Sequence, residues 1–488
     1  MFWCTVIRKF CVLIGTIKTY RICSVPLVDI KYRLLLPAAA LLRHGNFKLI
    51  DSVDLEILFL PTPTLSYKNL ASRDLLQQNM PMTGPRFRSL PTEILSEIFL
   101  HCSKEQDGCR PRPVAAVCKR WREVALSTSR LWCNIYLNSE EEEIETESLH
   151  SLLALQLERS GQVPLSVVFW CPYAGPSILE LLLAVSHRWR TLDINFLTPD
   201  QHEEFRTSTS QFPILEKLTI RGALSLRLGN LYQPLPLLTE LTLHRLSCQV
   251  PSIIPWTRLT KCTLWHCSPG EVMNILHSAP QIVELSLNSC YGDFEGGTAT
   301  SIIRSLKIAR CGRAFSQHFL ARLSAPNLRE LIIDDFDENG VTTQLTSLLT
   351  GSSCRMNHLS LCGVRISERE LIAILQLTDA LEHFEISWPC DVHSYVLMEA
   401  LTIRPGNRPR LLPELRTLSI TGGLSCRNDD LLRMLESRCP GLKHVELYYA
   451  GRTFFFDRAL DSLRQAGMSI TMLLDGPVDP FPHDETPD

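Results

Sequence analysis

The sequence predicts an α+β chain, in which a small all-helical segment precedes a long array of alternating strands and helices. Residues 89–137 carry apolar side chains at helical spacing. From residue 189 onward a short strand pattern, LxxLxL, recurs at steps of 21 to 34 residues. The chain has 488 residues, 45% hydrophobic and 21% charged, which is enough for two or three globular domains.

The helical segment begins at Leu90-Pro91, where proline suits a first helical turn because its missing N–H would have no intrahelical partner. Apolar residues between positions 94 and 99 share one side of the helix. A charged loop with one glycine and two prolines ends this helix near Cys102. A second helical pattern runs from Val114 to Ala125 and closes on Leu131-Trp132. Because both helices are short, we expect them to share one core.

This segment resembles an F-box, the module by which substrate receptors dock on the adaptor Skp1 of SCF-type ubiquitin ligases. The resemblance rests on two half-motifs in order, Leu90-Pro91-x-Glu93-Ile94-Leu95-x-x-Ile98-Phe99 and Val117-Cys118-Lys119-Arg120-Trp121-Arg122-x-x-Ala125 with Leu131-Trp132. It implies adaptor-binding residues among Leu90, Pro91, Ile94, Leu95, Ile98, Val117, Cys118, Trp121, Leu131 and Trp132. For each residue singly, the alternative is the core of a small helical hairpin. For the whole segment we favour docking, because so few residues bury little surface alone.

The repeats after residue 189 predict a stack of parallel strands joined by helices. The two apolar residues of each LxL point to the same strand face, since alternate residues share a side. Most steps between successive strands fit a leucine-rich repeat, and helical returns such as 271–276 and 370–375 lie between them. We therefore expect a curved α/β leucine-rich repeat solenoid with core thiols at Cys267, Cys290 and Cys311. These repeats resemble the irregular ones of fungal F-box proteins. The first core residues of the strands are Leu192, Leu218, Leu241, Cys262, Leu285, Leu306, Leu331, Leu359, Phe384, Leu418 and Val445.

A target-binding surface is expected on the strand residues that point away from this core, the default contact face of a solenoid. Trp265, just beyond one such position, is a large aromatic anchor. The candidates are Thr242, Thr263, Trp265, Ser286, Asn288, Lys307, Ser360 and Glu385. For each position the alternative is an ordinary solvated strand residue.

Composition and motifs argue against several functional classes. The net charge of −3 gives no broad basic surface for nucleic acid or anionic lipid. The eighteen cysteines are scattered without a CxxC pair, so we expect reduced thiols and no metal; a site at Cys262, His266 and Cys267 is the less favoured alternative. The sequence contains no GxSxG, P-loop, HExxH or dinucleotide motif, so we expect no catalytic residue and no cofactor.

The chain divides into five predicted parts. Residues 1–85 form a poorly defined extension without a run long enough to span a bilayer; its first 45 residues are apolar and basic, and a targeting sequence is the alternative for them. The F-box covers residues 86–137, and residues 138–188 form a helical and strand connector that caps the repeats. The solenoid with its C-terminal cap covers residues 189–474, and the tail 475–488 is predicted to be disordered.

These parts predict a non-catalytic protein that brings two others together. The F-box would hold a Skp1-like adaptor and through it a cullin scaffold, while the repeats would hold a target protein whose identity the sequence does not give. The alternative is a leucine-rich repeat scaffold that is not assembled into a ligase. Neither interpretation involves nucleic acid or a membrane, and we expect a cytoplasmic or nuclear location, or both.

Overall fold

The computed structural model of the protein describes residues 90–104, 112–138, 146–171, 176–195, 201, 211–221, 235–245, 254–292, 297–334, 341–364, 366–387, 392–393, 395–404, 411–421, 424–448 and 454–473. All of them belong to one compact unit, Pro85–Asp488. The predictions for the N-terminal extension and the C-terminal tail lie outside the described residues. Within the described ranges, no helix combines the length and apolar character that crossing a bilayer requires.

The helices are short, and most of them connect consecutive strands. Two of them begin with a complete capping box, in which a serine hydroxyl accepts a hydrogen bond from the backbone N–H of a glutamate three residues later, and the carboxylate of that glutamate accepts one from the serine N–H. The α-helices in the described residues are α1 (Thr92–Lys104), α2 (Arg112–Ala115), α3 (Lys119–Ser127), α4 (Thr146–Ser160), α5 (Pro176–Ala184), α6 (Pro269–Ser278), α7 (Arg313–Leu320), α8 (Val341–Ser352), α9 (Glu368–Leu375), α10 (Tyr395–Leu401), α11 (Asn428–Arg438) and α12 (Phe454–Gln465).

The strands form one parallel sheet of 14 strands whose order follows the sequence, beside two separate pairs of very short strands. The large sheet consists of β1 (Asn134–Asn138), β2 (Leu165–Trp170), β3 (Trp189–Asn195), β4 (Lys217–Arg221), β5 (Glu240–His244), β6 (Lys261–Trp265), β7 (Glu284–Asn288), β9 (Ser305–Ala309), β11 (Glu330–Asp334), β12 (His358–Cys362), β13 (His383–Ser387), β15 (Thr417–Thr421), β17 (His444–Tyr448) and β18 (Ser469–Leu473). The short pairs are β8 (Ala299–Thr300) with β10 (Leu323–Ser324), and β14 (Val392–His393) with β16 (Leu424–Ser425).

Alternation of apolar and polar residues explains how these strands assemble. In β6, Cys262 and Leu264 are buried, whereas the residues between and beside them are at least partly exposed. Cys262 lies in register with Leu241 on β5 and Leu285 on β7, so buried residues form continuous rows across the sheet. The apolar sides of the helices join these rows in one core. Each fully buried leucine or isoleucine stabilises the fold by about 1.5–3 kcal/mol relative to an exposed one.

The strands predicted from the LxxLxL pattern are all present, and Cys267, Cys290 and Cys311 are buried as expected. The mixed helix-and-strand class is confirmed, with a parallel sheet of 14 strands. The sheet begins earlier than the repeats, however. β1 closes the segment that resembles an F-box and pairs with β2 over five residue pairs, so residues predicted as a connector already belong to the sheet.

The second helix of the F-box segment differs from the prediction of one continuous helix. Its residues form α2 and α3, separated by a turn in which Cys118 is extended, with φ −156° and ψ 170°. The carbonyl of Cys118 accepts a hydrogen bond from the Arg122 N–H at 2.9 Å. No proline or glycine stands at positions 116–118 to mark the break, so the helical spacing of apolar residues predicted one continuous helix there.

One arginine is buried near the end of the sheet. Arg438 of α11 is 5% exposed. Its guanidinium donates to the carbonyls of Leu401 at 2.6 Å, Leu411 at 2.7 Å and Leu412 at 2.8 Å. Burial lowers the pKa of Arg438 to about 10, which still leaves it charged at neutral pH. This side chain therefore ties the end of α10 and the segment before β15 to α11.

The charge of Glu370, in the capping box of α9, is expected to make stability depend on pH. Hydrogen bonds from the Ser367 hydroxyl and backbone lower the pKa of Glu370 from its ordinary value of 4.5. The stabilisation is therefore present above pH 4.5 and is lost as the pH falls through the lowered value of the folded state. Glu370→Gln keeps a side chain of similar shape without the charge. In denaturant unfolding at pH 7 we expect this variant to be less stable by about 0.3–1 kcal/mol, the usual contribution of a negative charge near a helix N-terminus. This difference should shrink on acidification; a difference that grows would contradict the assignment.

Candidate functional site

The helical region from Leu90 to Trp132 has a small apolar core of its own. The rings of Phe99 on α1 and Trp121 on α3 pack with centroids 5.0 Å apart at an angle of 56°. Leu95 and Ala125 are fully buried beside them. The two helices are therefore held by apolar contacts between positions that helical spacing places on one face of each.

Polar contacts also link α1 to α3 and to the residues just after α3. The hydroxyls of Ser96 and Thr128 lie 3.1 Å apart. Arg130 pairs with Glu97 at 3.3 Å. The Arg120 guanidinium donates to the carbonyl of Leu90, which ties the start of α1 to the first turn of α3. The two half-motifs of the sequence thus meet in one packed unit.

The structure divides the ten predicted adaptor-binding residues into two groups. The side chains of the buried group lie in the domain's own core, which favours the alternative for each of them singly. Adaptor contact stays a prediction for both groups. Ile94 is the most informative member because this large apolar side chain is 48% exposed. The accessible residues are Leu90, Pro91, Ile94, Val117 and Cys118. The buried residues are Leu95, Ile98, Trp121, Leu131 and Trp132.

One exposed apolar residue of this region, Leu126, is missing from the predicted set. It lies on α3 but outside the buried stripe of Trp121, Val124 and Ala125. That offset from the stripe is the sequence signal that identifies it, since an apolar residue off the core face of a short helix faces solvent or a partner.

Trp132 joins the helical region to the sheet. Its Nε1 donates to the Ala125 carbonyl at 2.8 Å, and the guanidinium carbon of Arg159 on α4 lies 4.5 Å from its ring centroid. The Gln156 side chain, also on α4, donates to the Asn134 carbonyl of β1 at 2.8 Å. The helical region is therefore packed against α4 and the first strand.

The predicted target-binding residues lie on the sheet side that points away from the helices, which we call the polar face. In-register pairing brings Trp265 next to Asn288 across β6 and β7. All of the predicted residues except Ser360 are at least partly exposed. A continuous row across β5, β6, β7 and β9 is formed by Thr242, Thr263, Ser286 and Lys307.

Ser360 is the one buried member of the predicted target-binding set. It is buried, and its hydroxyl donates to the Glu385 carboxylate at 3.0 Å. Both residues are separated from the row on β5–β9 by β11. Ser360 therefore holds the Glu385 carboxylate, and its contact with a target stays a prediction.

Aromatic rings cluster at the carboxyl ends of β5 and β6. His244 stacks on Trp265 with centroids 5.0 Å apart and planes at 5°. His266 follows Trp265, and its ring lies 5.6 Å from that of Tyr291, which is 52% exposed. Sequence reasoning identified Trp265 but missed His244, although both end their strands in register.

His244 is neutral at physiological pH. Burial, helped by the nearby Arg221 and His266, lowers the pKa of His244 to about 4. A neutral imidazole stacks on Trp265 without the cost of desolvating a charge. Among the described residues, its Nε2 is buried without a hydrogen-bond partner. The His244 ring therefore packs as an uncharged stacking partner of Trp265.

A second cluster of side chains, on β2, β3 and β4, contains one acid and one base that pair with each other. The Trp170 Nε1 donates to Asp193 at 2.9 Å, and Arg221 makes two bonds to the same carboxylate at 3.0 and 3.1 Å. The guanidinium carbon of Arg221 also lies 4.5 Å from the Trp170 ring centroid. Because each charge already has a close partner, this group offers little unbalanced charge to a ligand.

The described residues contain no group of three or more His, Cys, Asp or Glu side chains arranged for a metal ion. Cys262, one of the three residues of the less favoured metal alternative, is fully buried, and this burial raises its pKa to about 12. The thiolate that would bind a metal or attack a substrate is therefore disfavoured at neutral pH.

Comparison with known families assigns the helical region. An F-box-like model matches residues 87–138, which contain α1, α2, α3 and β1. No curated protein matches the chain. An F-box-like domain suggests an SCF-type adaptor role in general, supports binding to Skp1-type adaptors, and occurs in proteins that are generally non-catalytic. The match at residues 87–138 therefore supports an F-box protein.

Proposed function

We propose that the protein is the substrate-recognition subunit of an SCF-type ubiquitin ligase. Its F-box-like domain docks on a Skp1-like adaptor, and through it on a cullin scaffold. The observation that carries this proposal is the F-box-like match over a helical unit with accessible apolar residues at the motif positions. Ile94 and Pro91 are exposed although their neighbours Leu95 and Phe99 are buried, so α1 has apolar surface left for a partner helix.

We also propose that the repeats are leucine-rich repeats and that their polar face binds the target protein. One strand per repeat, the parallel pairing in sequence order and the helices packed on the LxL rows support this assignment. Within the polar face, the proposed contacts are Thr242, Thr263, Trp265, Ser286, Asn288, Lys307 and Glu385, with Ser360 behind Glu385.

The proposed role is non-catalytic. Binding the adaptor and the target on one chain raises the effective concentration of the target near a recruited conjugating enzyme, without any transfer chemistry on this protein. We propose the cytoplasm, the nucleus or both as its location. The cysteines in the described part of the chain are free thiols, which fits these reducing compartments.

Adaptor binding by purified full-length protein tests the docking proposal. Ile94→Asp places a charge on the proposed contact. We expect it to weaken binding to a purified Skp1-type adaptor by about thirtyfold or more, because that is the usual effect of losing an interface hot spot. Ile302→Asp is the matched control, because Ile302 is 38% exposed and lies outside the F-box-like domain. The control should bind as the wild type does, and circular dichroism should show both variants folded.

The outcomes separate the two functions. Equal weakening by both variants would mean that Ile94 has no specific part in docking. If the unmodified protein does not bind the adaptor at all, the ligase proposal fails and the scaffold that never joins a ligase takes its place.

A further inference from the structure

Trp265 lies partly exposed on the polar face of the sheet. His244, on the preceding strand β5, covers one face of its indole ring with nearly parallel planes. The opposite face is therefore directed toward the following strand, β7, where Asn288 lies in register. Among the described residues, the only other ring near Trp265 is that of His266, tilted by 51° at 6.4 Å. The face directed toward β7 is therefore the one that a planar or apolar ligand group would contact.

The strands beyond Trp265 carry small side chains at the same register position. Asn288 on β7 is followed by Ala309 on β9, and both are half-buried. The next residue in register is Asp334 on β11. One row of residues in register thus crosses four strands, with small side chains in its middle and the large indole ring at one end. We call this row the shelf; it consists of Trp265, Asn288, Ala309 and Asp334.

The far end of the shelf is acidic. Asp334 is exposed, and Glu385 on β13 is held by the Ser360 hydroxyl. Asp334 lies in register with Cys362, whose thiol is 3.5 Å from the Ser360 hydroxyl that donates to Glu385, so both carboxylates lie near this thiol. Burial and then the two carboxylates raise the pKa of Cys362. In the described part of the chain, neither carboxylate takes part in an ion pair. A cationic ligand group therefore complements this end.

A positive charge also lies beside the shelf. Lys307 of β9 is exposed in the neighbouring row and has no ion-pair partner among the described residues. An acidic or polar ligand group near the middle of the shelf would meet this lysine. A nucleic-acid strand fits poorly, because its phosphates would meet the carboxylates at the far end.

We propose that the shelf binds an extended peptide segment of the target protein that crosses the strands. An aromatic or large apolar residue of the segment packs on Trp265, and a lysine or arginine pairs with Asp334 and Glu385. Strands lie about 4.8 Å apart, so Trp265 and Asp334 are about 14 Å apart across the sheet. An extended chain advances about 3.3 Å per residue, so the two ligand residues are about four positions apart. This proposal names the ligand class of the target-binding face and rests on the proposed function.

Selection from a random dodecapeptide phage library on the immobilised full-length protein tests the shelf. We expect enrichment of peptides with an aromatic or large apolar residue followed or preceded, at three to five positions, by lysine or arginine. A synthetic peptide from the enriched set should bind the Trp265→Ala variant about tenfold or more weakly. No enrichment, enrichment of peptides without this pair, or equal binding by Trp265→Ala overturns the proposal.

A charge exchange tests the acidic end separately. In the double variant Asp334→Lys with Glu385→Lys, the selected peptides should carry aspartate or glutamate in place of the basic residue. Glu446→Lys is the matched control, because Glu446 is an exposed acid on the polar face of β17, away from the shelf. The control should select the same peptides as the wild type. An unchanged preference in the double variant overturns the pairing with Asp334 and Glu385.

Adaptor binding measured on the same samples keeps the two proposals apart. If the adaptor binds and the library yields no such peptides, the shelf proposal fails while the ligase proposal stands. If the peptides are selected and the adaptor does not bind, the ligase proposal fails and the shelf belongs to a scaffold.

Discussion

Replacing Arg438 with alanine is expected to lower the free energy of unfolding by about 3–5 kcal/mol, as measured by denaturant unfolding. The guanidinium donates to three backbone carbonyls, those of Leu401, Leu411 and Leu412. Without it, these buried carbonyls lose a donor that water does not replace, and a cavity remains. Hydrogen exchange should show the loss of protection in α10, α11 and β15 first, since these elements lie at the cross-link.

Two variants of the same helix sharpen this test. Arg433→Ala removes an arginine whose side chain is 70% exposed and whose nearest acid, Asp430, is 3.7 Å away. We expect that change to stay within about 0.5 kcal/mol, as for most exposed ion pairs. Arg438→Lys should fall between the two, because one ammonium cannot reproduce a fork of donors. If Arg438→Ala and Arg433→Ala are equally stable, the cross-link contributes nothing.

Replacing Trp132 with alanine is expected to destabilise the F-box-like domain by about 3–5 kcal/mol, the usual cost of removing a buried large aromatic ring. The change removes the donor to the Ala125 carbonyl and the ring under Arg159 together. Because Trp132 lies between α3 and α4, hydrogen exchange should become faster in both helices. Under the proposed function, adaptor binding should also weaken, because the domain unfolds and not because this buried side chain contacts the adaptor.

Trp132→Phe separates the ring from its hydrogen bond. Phenylalanine keeps an aromatic ring and loses the donor to Ala125, so a loss of about 1–2 kcal/mol is expected. If the alanine variant exchanges no faster than the phenylalanine variant, the packing of this ring does not join the two parts of the molecule.

The repeated part of the fold was predictable from sequence because its signal is local and periodic. A strand with one buried face shows apolar residues at every second position, and β6 and β7 follow that rule. β1 and β2 lie outside the repeat pattern, so only long-range pairing reveals that they extend the sheet. The break between α2 and α3 was missed for a related reason, because the apolar spacing continues through Val117 and Cys118.

The candidate site was predictable at the level of motifs and less so at the level of single residues. The half-motifs located α1 and α3, but an apolar helix stripe does not state which members face the core and which face a partner. Leu95 is buried whereas Ile94 beside it is exposed, a difference that depends on how α1 packs against α3. The residues of the proposed shelf were only partly predicted, because the place of Asp334 in it depends on its register with Trp265 across four strands.

The backbone pairing of β1 with β2 joins the F-box-like domain directly to the sheet. Under the proposed function, a target protein bound at β6–β13 would therefore keep a fixed distance and orientation relative to the ligase instead of moving on a flexible linker. The lysines of the target that receive ubiquitin would then be selected by their distance and direction from the ligase. A change in the number of strands between β2 and β6 would change that distance in steps of one strand spacing.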